Sequence, residues 1–228
     1  MSLLLLLSLL AEPSALETQP QGWVDLIRAP TSASAATRAR TWTRVEPIST
    51  AGVVSKVNRQ VPVWQFRRGE GLLDVRGDLP PGGAPGGKDG SHEMLRYDRE
   101  LGDFILHVEW RFVDPARPGW NAGVYARVNR AATIWHQAQL GARDAYWFGD
   151  TLDETGKIVR RRAPSHDVKL NPPGEWNVYE LRARGPHLSL WLNGAVVSEM
   201  EVRLPRGFIG FEAEYHHVQF RNVKLKER

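Results

Sequence analysis

Two glutamates, Glu212 and Glu214, are the first candidates for proton transfer in this sequence. Residues two positions apart in a β-strand point to the same face, so we expect their carboxyl groups to be neighbours. A nearby negative charge raises the pKa of a carboxyl group and suits it to act as a base near neutral pH. We assign Glu214 as the base or as a metal ligand. His216 has the same parity and joins it as a catalytic candidate, with a surface histidine as the alternative.

A second set of polar residues lies in the middle of the chain. Glu109 and Arg111 alternate with apolar residues and share one face of a predicted strand. Such a pair is either part of a site or a solvated cross-strand pair, and Arg127 is either a ligand for a sugar oxygen or a surface arginine. We take Glu109 as a further catalytic candidate. The substrate-binding candidates are Arg111, Asn121, Arg127, Gln137, Gln139 and Glu212.

The composition excludes several kinds of chemistry. The chain has no cysteine, which excludes disulfides, thiol catalysis and cysteine metal sites. No His-Glu-x-x-His pattern, phosphate loop or Ser-His-Asp pattern is present. The Glu, His and Gln donors would suit a hard divalent cation, while no organic cofactor is expected. The net charge of +4 is scattered, and the short run at residues 160–162 is typical of a solvated loop, so we expect no nucleic-acid partner.

Alternating apolar residues predict an all-β fold that positions these side chains. The clearest strand covers residues 104–112, with five apolar residues on one side and three polar residues on the other. Further strands are predicted at 61–66, 71–75, 121–127, 134–140, 175–183, 187–192, 195–197, 207–213 and 218–225. Asn193-Gly194 predicts a two-residue hairpin turn of type I′. About ten short strands with frequent turns indicate a β-sandwich or jelly roll, with residues 77–90 and 150–173 mostly as loops.

The first 20 residues are predicted to form a leader. Residues 2–11 are an apolar run about as long as the core of a signal peptide, which is too short to span a membrane. We therefore divide the chain into a signal peptide at 1–20, with cleavage near residue 15, and a single β-sandwich domain at 21–228. The protein is expected to be exported to the periplasm or the extracellular space.

The order of several short motifs resembles one known family. These are Gly102-Asp103-Phe104, Glu109-Trp110-Arg111, Asn121-Ala122-Gly123-Val124-Tyr125, Gln137-Ala138-Gln139-Leu140, Gly174-Glu175-Trp176-Asn177, Leu192-Asn193-Gly194, and the run from Gly207 to Glu214. Together they are similar to the 3-keto-disaccharide hydrolase family over about residues 22–226. The resemblance implies a concanavalin A-like jelly-roll β-sandwich of two curved antiparallel sheets and an exported protein that acts on carbohydrate.

The sequence departs from the family pattern at four places. The family commonly has an acidic residue where Gln137 stands and a glutamine where Glu212 stands. Its usual Asn-Ser-Gly is replaced by Asn121-Ala122-Gly123. Its opening Leu-Phe-Asp-Gly turn has only a weak counterpart at Asp25-Leu26-Ile27-Arg28. If Gln137 replaces a catalytic or metal-binding carboxylate, the activity is altered or lost.

Two functions from different classes remain open at this point. The first is an exported enzyme that removes the C2 proton of a 3-keto-glycoside, eliminates the C1 leaving group and adds water. The second is a non-catalytic, lectin-like sandwich that binds carbohydrate. We expect the catalytic and binding candidates to converge in one cleft in the enzyme, and exposed tryptophans to line the groove in the lectin.

Overall fold

Fifteen short strands and one helical turn make up the part of the chain that the structure describes. The structure, a computed structural model, describes residues 11–28, 41–47, 57, 62–79, 92–114, 116, 119–141, 145, 148–152, 158–161 and 169–228. The elements are α1 (Ala15–Thr18), β1 (Val24–Asp25), β2 (Trp42–Val45), β3 (Trp64–Arg67), β4 (Leu72–Arg76), β5 (His92–Tyr97), β6 (Phe104–Phe112), β7 (Asn121–Val128), β8 (Trp135–Gly141), β9 (Phe148–Leu152), β10 (Ile158–Arg161), β11 (Asn177–Arg184), β12 (His187–Leu192), β13 (Ala195–Glu201), β14 (Phe208–Glu214) and β15 (His217–Glu227).

The strands form two antiparallel sheets. Sheet A has the order β13-β12-β11-β6-β15-β4-β3, and β1 pairs with β15 beside it. Sheet B has the order β10-β9-β8-β7-β14-β5-β2. This arrangement confirms the predicted all-β, concanavalin A-like jelly-roll sandwich of two curved antiparallel sheets.

One apolar core lies between the sheets. In β6 the residues Leu106, Val108 and Trp110 belong to this core, as the period-2 pattern predicted. Val124 of β7 and Phe211 of β14 enter the same core from sheet B. Because side chains alternate along a strand, the residues between these positions must point to the outer face of their sheet.

The local turn chemistry was predicted correctly at the hairpin of β12 and β13. Leu192 pairs with Ala195, and Asn193 and Gly194 both have positive φ, at 42° and 110°. A type I′ turn requires positive φ at both central residues. The hairpin of β3 and β4 is also present, with Trp64 opposite Val75.

The sequence prediction missed several strands. The stretch 150–173, expected to be mostly loop, contains the end of β9 and all of β10. The strands β1, β2 and β5 were not predicted either, because they are short or lack clear alternation. Most of the predicted loop at 77–90, the run at 160–162 in part, and residues 1–10 lie outside the described residues.

Residues 11–20, which we assigned to a leader, contact the sandwich in this structure. The turn α1 lies against sheet A, and the amide of Glu12 donates to the carbonyl of Gly194 at 2.7 Å. The division of the chain at residue 20 stays a prediction. Among the described residues, none of the helical segments has the length and apolarity needed to cross a membrane.

Candidate functional site

The candidate site lies on the outer face of sheet B, across four adjacent strands. Tyr125 of β7 pairs with Gln137 of β8 and with Gly210 of β14. On the other side of β14, Glu214 pairs with His92 of β5. Since the neighbouring inward residues fill the core, the side chains of these paired residues, Tyr125, Gln137, Glu214 and His92, share the opposite face.

Glu212 is the centre of the hydrogen-bond network on this face. Its side chain is buried, with 2% of the residue exposed. Gln137 Nε2 donates to Oε2 at 2.5 Å, the Tyr125 hydroxyl donates to Oε1, and His92 Nε2 lies 3.0 Å from Oε1. A buried carboxylate is costly unless donors surround it, and these three groups provide them.

Gly123 makes the contact between Gln137 and Glu212 possible. A Cβ atom at Gly123 would lie 2.4 Å from Nε2 and 2.6 Å from Cγ of Gln137. The Gln137 side chain therefore crosses the backbone of β7 in the space that a larger residue would fill. Only glycine at position 123 lets Gln137 reach Glu212 in this geometry.

His92 connects the buried Glu212 to the more exposed Glu214. Burial of His92 opposes its protonation, but the hydrogen bond to Glu212 and the charges of Glu212 and Glu214 outweigh burial and raise its pKa above the ordinary value. Ligand atoms of the three residues all lie within 4.8 Å of one another. The cluster therefore combines two carboxyl groups with an imidazole whose protonation they favour.

Several of the predicted site residues do come together. Gln137, Glu212 and Glu214 lie on the same face, and the expectation that the two glutamates are neighbours is correct. Gln139 and Asn121 lie on the adjacent ends of β8 and β7, where Gln139 Nε2 donates to Oδ1 of Asn121. Two of the substrate-binding candidates thus contact each other.

Glu109 and Arg111 do not reach this site, which corrects the expected grouping. Both lie on β6, which belongs to sheet A, so the core of the sandwich separates them from Glu212. Glu109 pairs with Arg221 at 2.6 Å, and Arg111 donates to Oε1 of Gln219 at 2.8 Å. The alternation was identified correctly, but alternation does not reveal which sheet a strand joins.

Arg127 is also removed from the site. It has a φ of 50° and is fully buried, and burial lowers the pKa of its guanidinium. Its side chain donates to the carbonyl oxygens of Leu101, Gly102 and Gly185. These contacts give it a structural role, because the irregular backbone turns it away from the face that its strand position predicted.

His216 lies beyond the end of β14. The preceding residue, Tyr215, has a φ of 52°, which ends the regular alternation. The His216 ring packs edge-on against Phe112, and Nδ1 lies 3.2 Å from the carbonyl oxygen of Glu214. It is not a member of the cluster around His92, contrary to the expectation that His216 shares the face of Glu214.

Sequence reasoning missed His92 and Tyr125. Tyr125 has the same parity as Asn121 and Gly123 in a strand that was predicted, so its position on the polar face was available from the sequence. His92 had no such signal, because β5 was not predicted and pairs with β14 across 120 residues of chain.

Comparison with known proteins identifies the family. The profile of the 3-keto-alpha-glucoside-1,2-lyase-like domain matches residues 28–226. The chain belongs to this family. That membership confirms the resemblance found in the sequence and makes the protein a carbohydrate-related sandwich. No curated protein sequence shows significant similarity to the chain.

Solved structures share the fold of this family member at low sequence identity. A protein from Parabacteroides distasonis, provisionally named a glycosyl hydrolase, has a TM-score of 0.56 at 16% identity, over 96% of this chain and 99% of that chain. LamA from Zobellia galactanivorans, in complex with laminaritriose and laminaritetraose, has a TM-score of 0.54 at 10% identity, over 89% and 96%. The carbohydrate-binding module CBM66 from Bacillus subtilis has a TM-score of 0.50 at 12% identity, over 90% and 96%.

Proposed function

We propose that this protein is an exported enzyme that cleaves 3-keto-glycosides at the outer face of sheet B. The observation that carries the proposal is the convergence of His92, Glu212 and Glu214 within 4.8 Å in a chain of this family. Glu214 acts as the base, because it is the more exposed of the two carboxyl groups. Glu212 bonds to His92 and favours its protonated form.

The chemistry follows from the acidity of the C2 hydrogen beside the C3 ketone. Glu214 takes that proton, and the electron pair of the C2–H bond forms an enolate whose oxygen at C3 the charged His92 stabilises. The C3 carbonyl then re-forms, a C1=C2 double bond forms, and the bond from C1 to the aglycone oxygen breaks. The proton that Glu214 took passes to the aglycone oxygen, so the aglycone leaves as an alcohol, and water adds back with its hydroxyl at C1 and its proton at C2.

The same residues also fit a divalent metal ion. An imidazole nitrogen and two carboxylate oxygens within 4.8 Å are donors that such an ion accepts, provided that His92 is neutral. When bound, the ion would supply positive charge for the enolate oxygen in place of the imidazolium. His92, Glu212 and Glu214 would hold it, and Gln137 and Tyr125 would still orient Glu212.

The second candidate function is binding of carbohydrate without catalysis. The observation in its favour is that Glu109 and Arg127 lie away from the cluster, and that Glu212 already has donors on both oxygens. Against it, Trp135 on this face is only 4% exposed and packs against Tyr125, so it offers no open ring for stacking a sugar.

The test is release of the aglycone from a p-nitrophenyl 3-keto-α-glucoside by the purified protein. We expect Glu214→Gln to lower the rate at least about a hundredfold, because positioned acid–base groups contribute that much. The matched control is Glu109→Gln, the same substitution on the opposite sheet, which we expect to leave the rate unchanged.

Three results separate the alternatives. Loss of the rate in Glu214→Gln but not in Glu109→Gln supports the enzyme. If a chelator also lowers the rate of the parent protein, the positive charge at the enolate is assigned to a metal ion. Equal rates in both variants and the parent would reject Glu214 as the base. Absence of turnover in the parent, together with calorimetric binding of the unoxidised glucoside, would favour the carbohydrate-binding module.

A further inference from the structure

The segment from Glu12 to Gln19 is held on the outer face of sheet A by a buried carboxylate. Glu180 of β11 is fully buried, and its Oε2 accepts from the amide of Ala15 at 2.9 Å. Its Oε1 accepts from the amide of Leu16 at 3.1 Å. Two backbone donors at the start of α1 therefore bind one side chain that lies 164 or 165 residues further along the chain.

Glu180 has its full set of hydrogen-bond donors only when this segment is present. His107 Nδ1 lies 3.2 Å from Oε1, and Arg182 lies 2.9 Å from Oε2. Arg182 also lies 3.7 Å from Glu12 of the segment. Without the segment, the carboxylate would lose two of its donors, and a buried charge that loses hydrogen bonds is destabilising.

The segment has its own local structure, which suits this contact. Ser14 caps α1 in a capping box with Glu17, and both Ser14 and Ala15 are buried. A capping box fixes the first turn and so presents the free amides of Ala15 and Leu16 in one direction. The local sequence of the segment thus places these two amides where the Glu180 carboxylate can accept from both.

Contacts at both ends of the segment continue the attachment. At its start, the amide of Glu12 donates to the carbonyl of Gly194 in the β12–β13 turn. At its end, Lys226 Nζ lies 3.3 Å from the carbonyl oxygen of Gln19, and the Trp23 indole donates to the same oxygen at 2.7 Å. The segment therefore spans sheet A from the β12–β13 turn to the last strand.

We propose that residues 12–19 remain on the mature protein as a clasp, docked on the surface around Glu180, and that any leader is removed before Glu12. A cut near residue 15, as the apolar run first suggested, would separate the cap from the turn that it stabilises. A cut at residue 20 would remove the whole clasp and leave Glu180 exposed to solvent on one side. This inference is independent of the catalytic proposal, because Glu180 lies on the opposite sheet from Glu212.

The stability test compares a chain that begins at Glu12 with one that begins at Gln21. We expect the longer chain to melt at the temperature of the full chain, and the shorter chain to melt lower by roughly 5 °C or more. Glu180→Gln should lower the melting temperature of the longer chain clearly more than that of the shorter chain, since the two changes remove the same contact. Glu201→Gln, an exposed glutamate on β13, is the matched control and should act equally in both.

The proposal would be overturned if truncation and Glu180→Gln lowered the melting temperature additively. It would also be overturned if the two chains melted at the same temperature. The second measurement is the mass of the protein recovered from the periplasm and the cytoplasm of a bacterial host, which does not depend on whether the shorter chain folds. A recovered chain that begins at or before Glu12, processed or not, supports the proposal. A recovered, folded chain that begins at Pro13 or later overturns it.

Discussion

Gln137 donates a hydrogen bond of 2.5 Å to Glu212 on the outer face of sheet B. Position 137 is where the sequence resemblance implied an acidic residue, so the sequence left open whether a catalytic group had been lost. In the structure the amide is a donor to a buried carboxylate, which an acidic residue could not be while ionised. Gln137 therefore positions Glu212. A glutamine at position 137 and a glutamate at position 212 form a complementary pair of hydrogen-bond donor and acceptor.

The first prediction concerns Gly123. Gly123→Ala places a Cβ within 2.4 Å of Gln137 Nε2, so Gln137 must move away from Glu212. We expect a loss of about 1–3 kcal/mol in the free energy of unfolding and a roughly tenfold or larger loss in aglycone release. Denaturant unfolding and the p-nitrophenyl assay measure the two effects.

Gly69→Ala is the control for that substitution. A Cβ at Gly69 would meet no atom within 4 Å, so it tests the cost of replacing a glycine without a clash. If Gly123→Ala were as neutral as Gly69→Ala, the close approach of Gln137 to the β7 backbone would be contradicted.

The second prediction is that Gln137→Glu destabilises the protein. It removes a donor and places a second carboxyl group against Glu212, so one of the two must take a proton. We expect a loss of about 1–3 kcal/mol at pH 8 that becomes smaller at pH 5, where protonation of the pair is easier. Chemical denaturation at the two pH values measures this.

Gln139→Glu is the matched control on the same strand face, since Gln139 bonds to Asn121 and not to a carboxylate. Its effect should be small and should not decrease as the pH falls. A Gln137→Glu variant that is more stable or more active than the parent would show that position 137 requires an acid.

The third prediction concerns the stability of the protein in acid. Burial raises the pKa of Glu180, but donors from His107, Ala15, Arg182 and Leu16 outweigh it and lower the pKa to about 2. The folded pKa lies below the unfolded value of 4.5, so this stabilisation is complete above pH 4.5 and is lost as the pH falls toward 2. It amounts to about 3 kcal/mol.

The measurement is the difference in unfolding free energy between the parent and Glu180→Gln from pH 6 to pH 2. The titratable and charged groups around Glu180 are His107, Arg182, Glu12 and Glu17. We expect the difference to shrink below pH 4.5. A difference that is constant over this range would show that Glu180 titrates normally.

The fourth prediction concerns His136, which points to the inner face of sheet B. Burial and the nearby charge of Arg127 lower its pKa from 6.5 to about 4. The neutral form is therefore favoured by folding, and stability is lost as the pH falls from 6.5 to 4, by up to about 3 kcal/mol. An NMR titration should show no protonation of His136 at pH 6, and His136→Gln should remove this part of the pH dependence. Titration near pH 6.5 would contradict the burial.

The alternation of side chains is a local property, and the sequence alone determined what depends on it. The strand at Phe104–Phe112, the hairpin turn at Asn193 and Gly194, and the shared face of Glu212 and Glu214 all follow from the geometry of neighbouring residues. The all-β class followed from the number of such strands, and the family from the order of the motifs.

Only the tertiary structure decided which faces meet. Glu109 and Glu212 both lie on alternating strands with polar faces, yet one strand joins sheet A and the other joins sheet B. His92 enters the site through a pairing between strands about 120 residues apart, and Ala15 binds Glu180 across 165 residues. Such partners are determined by the packing of whole sheets against a common core, and period-2 alternation within one strand does not indicate which strands pair.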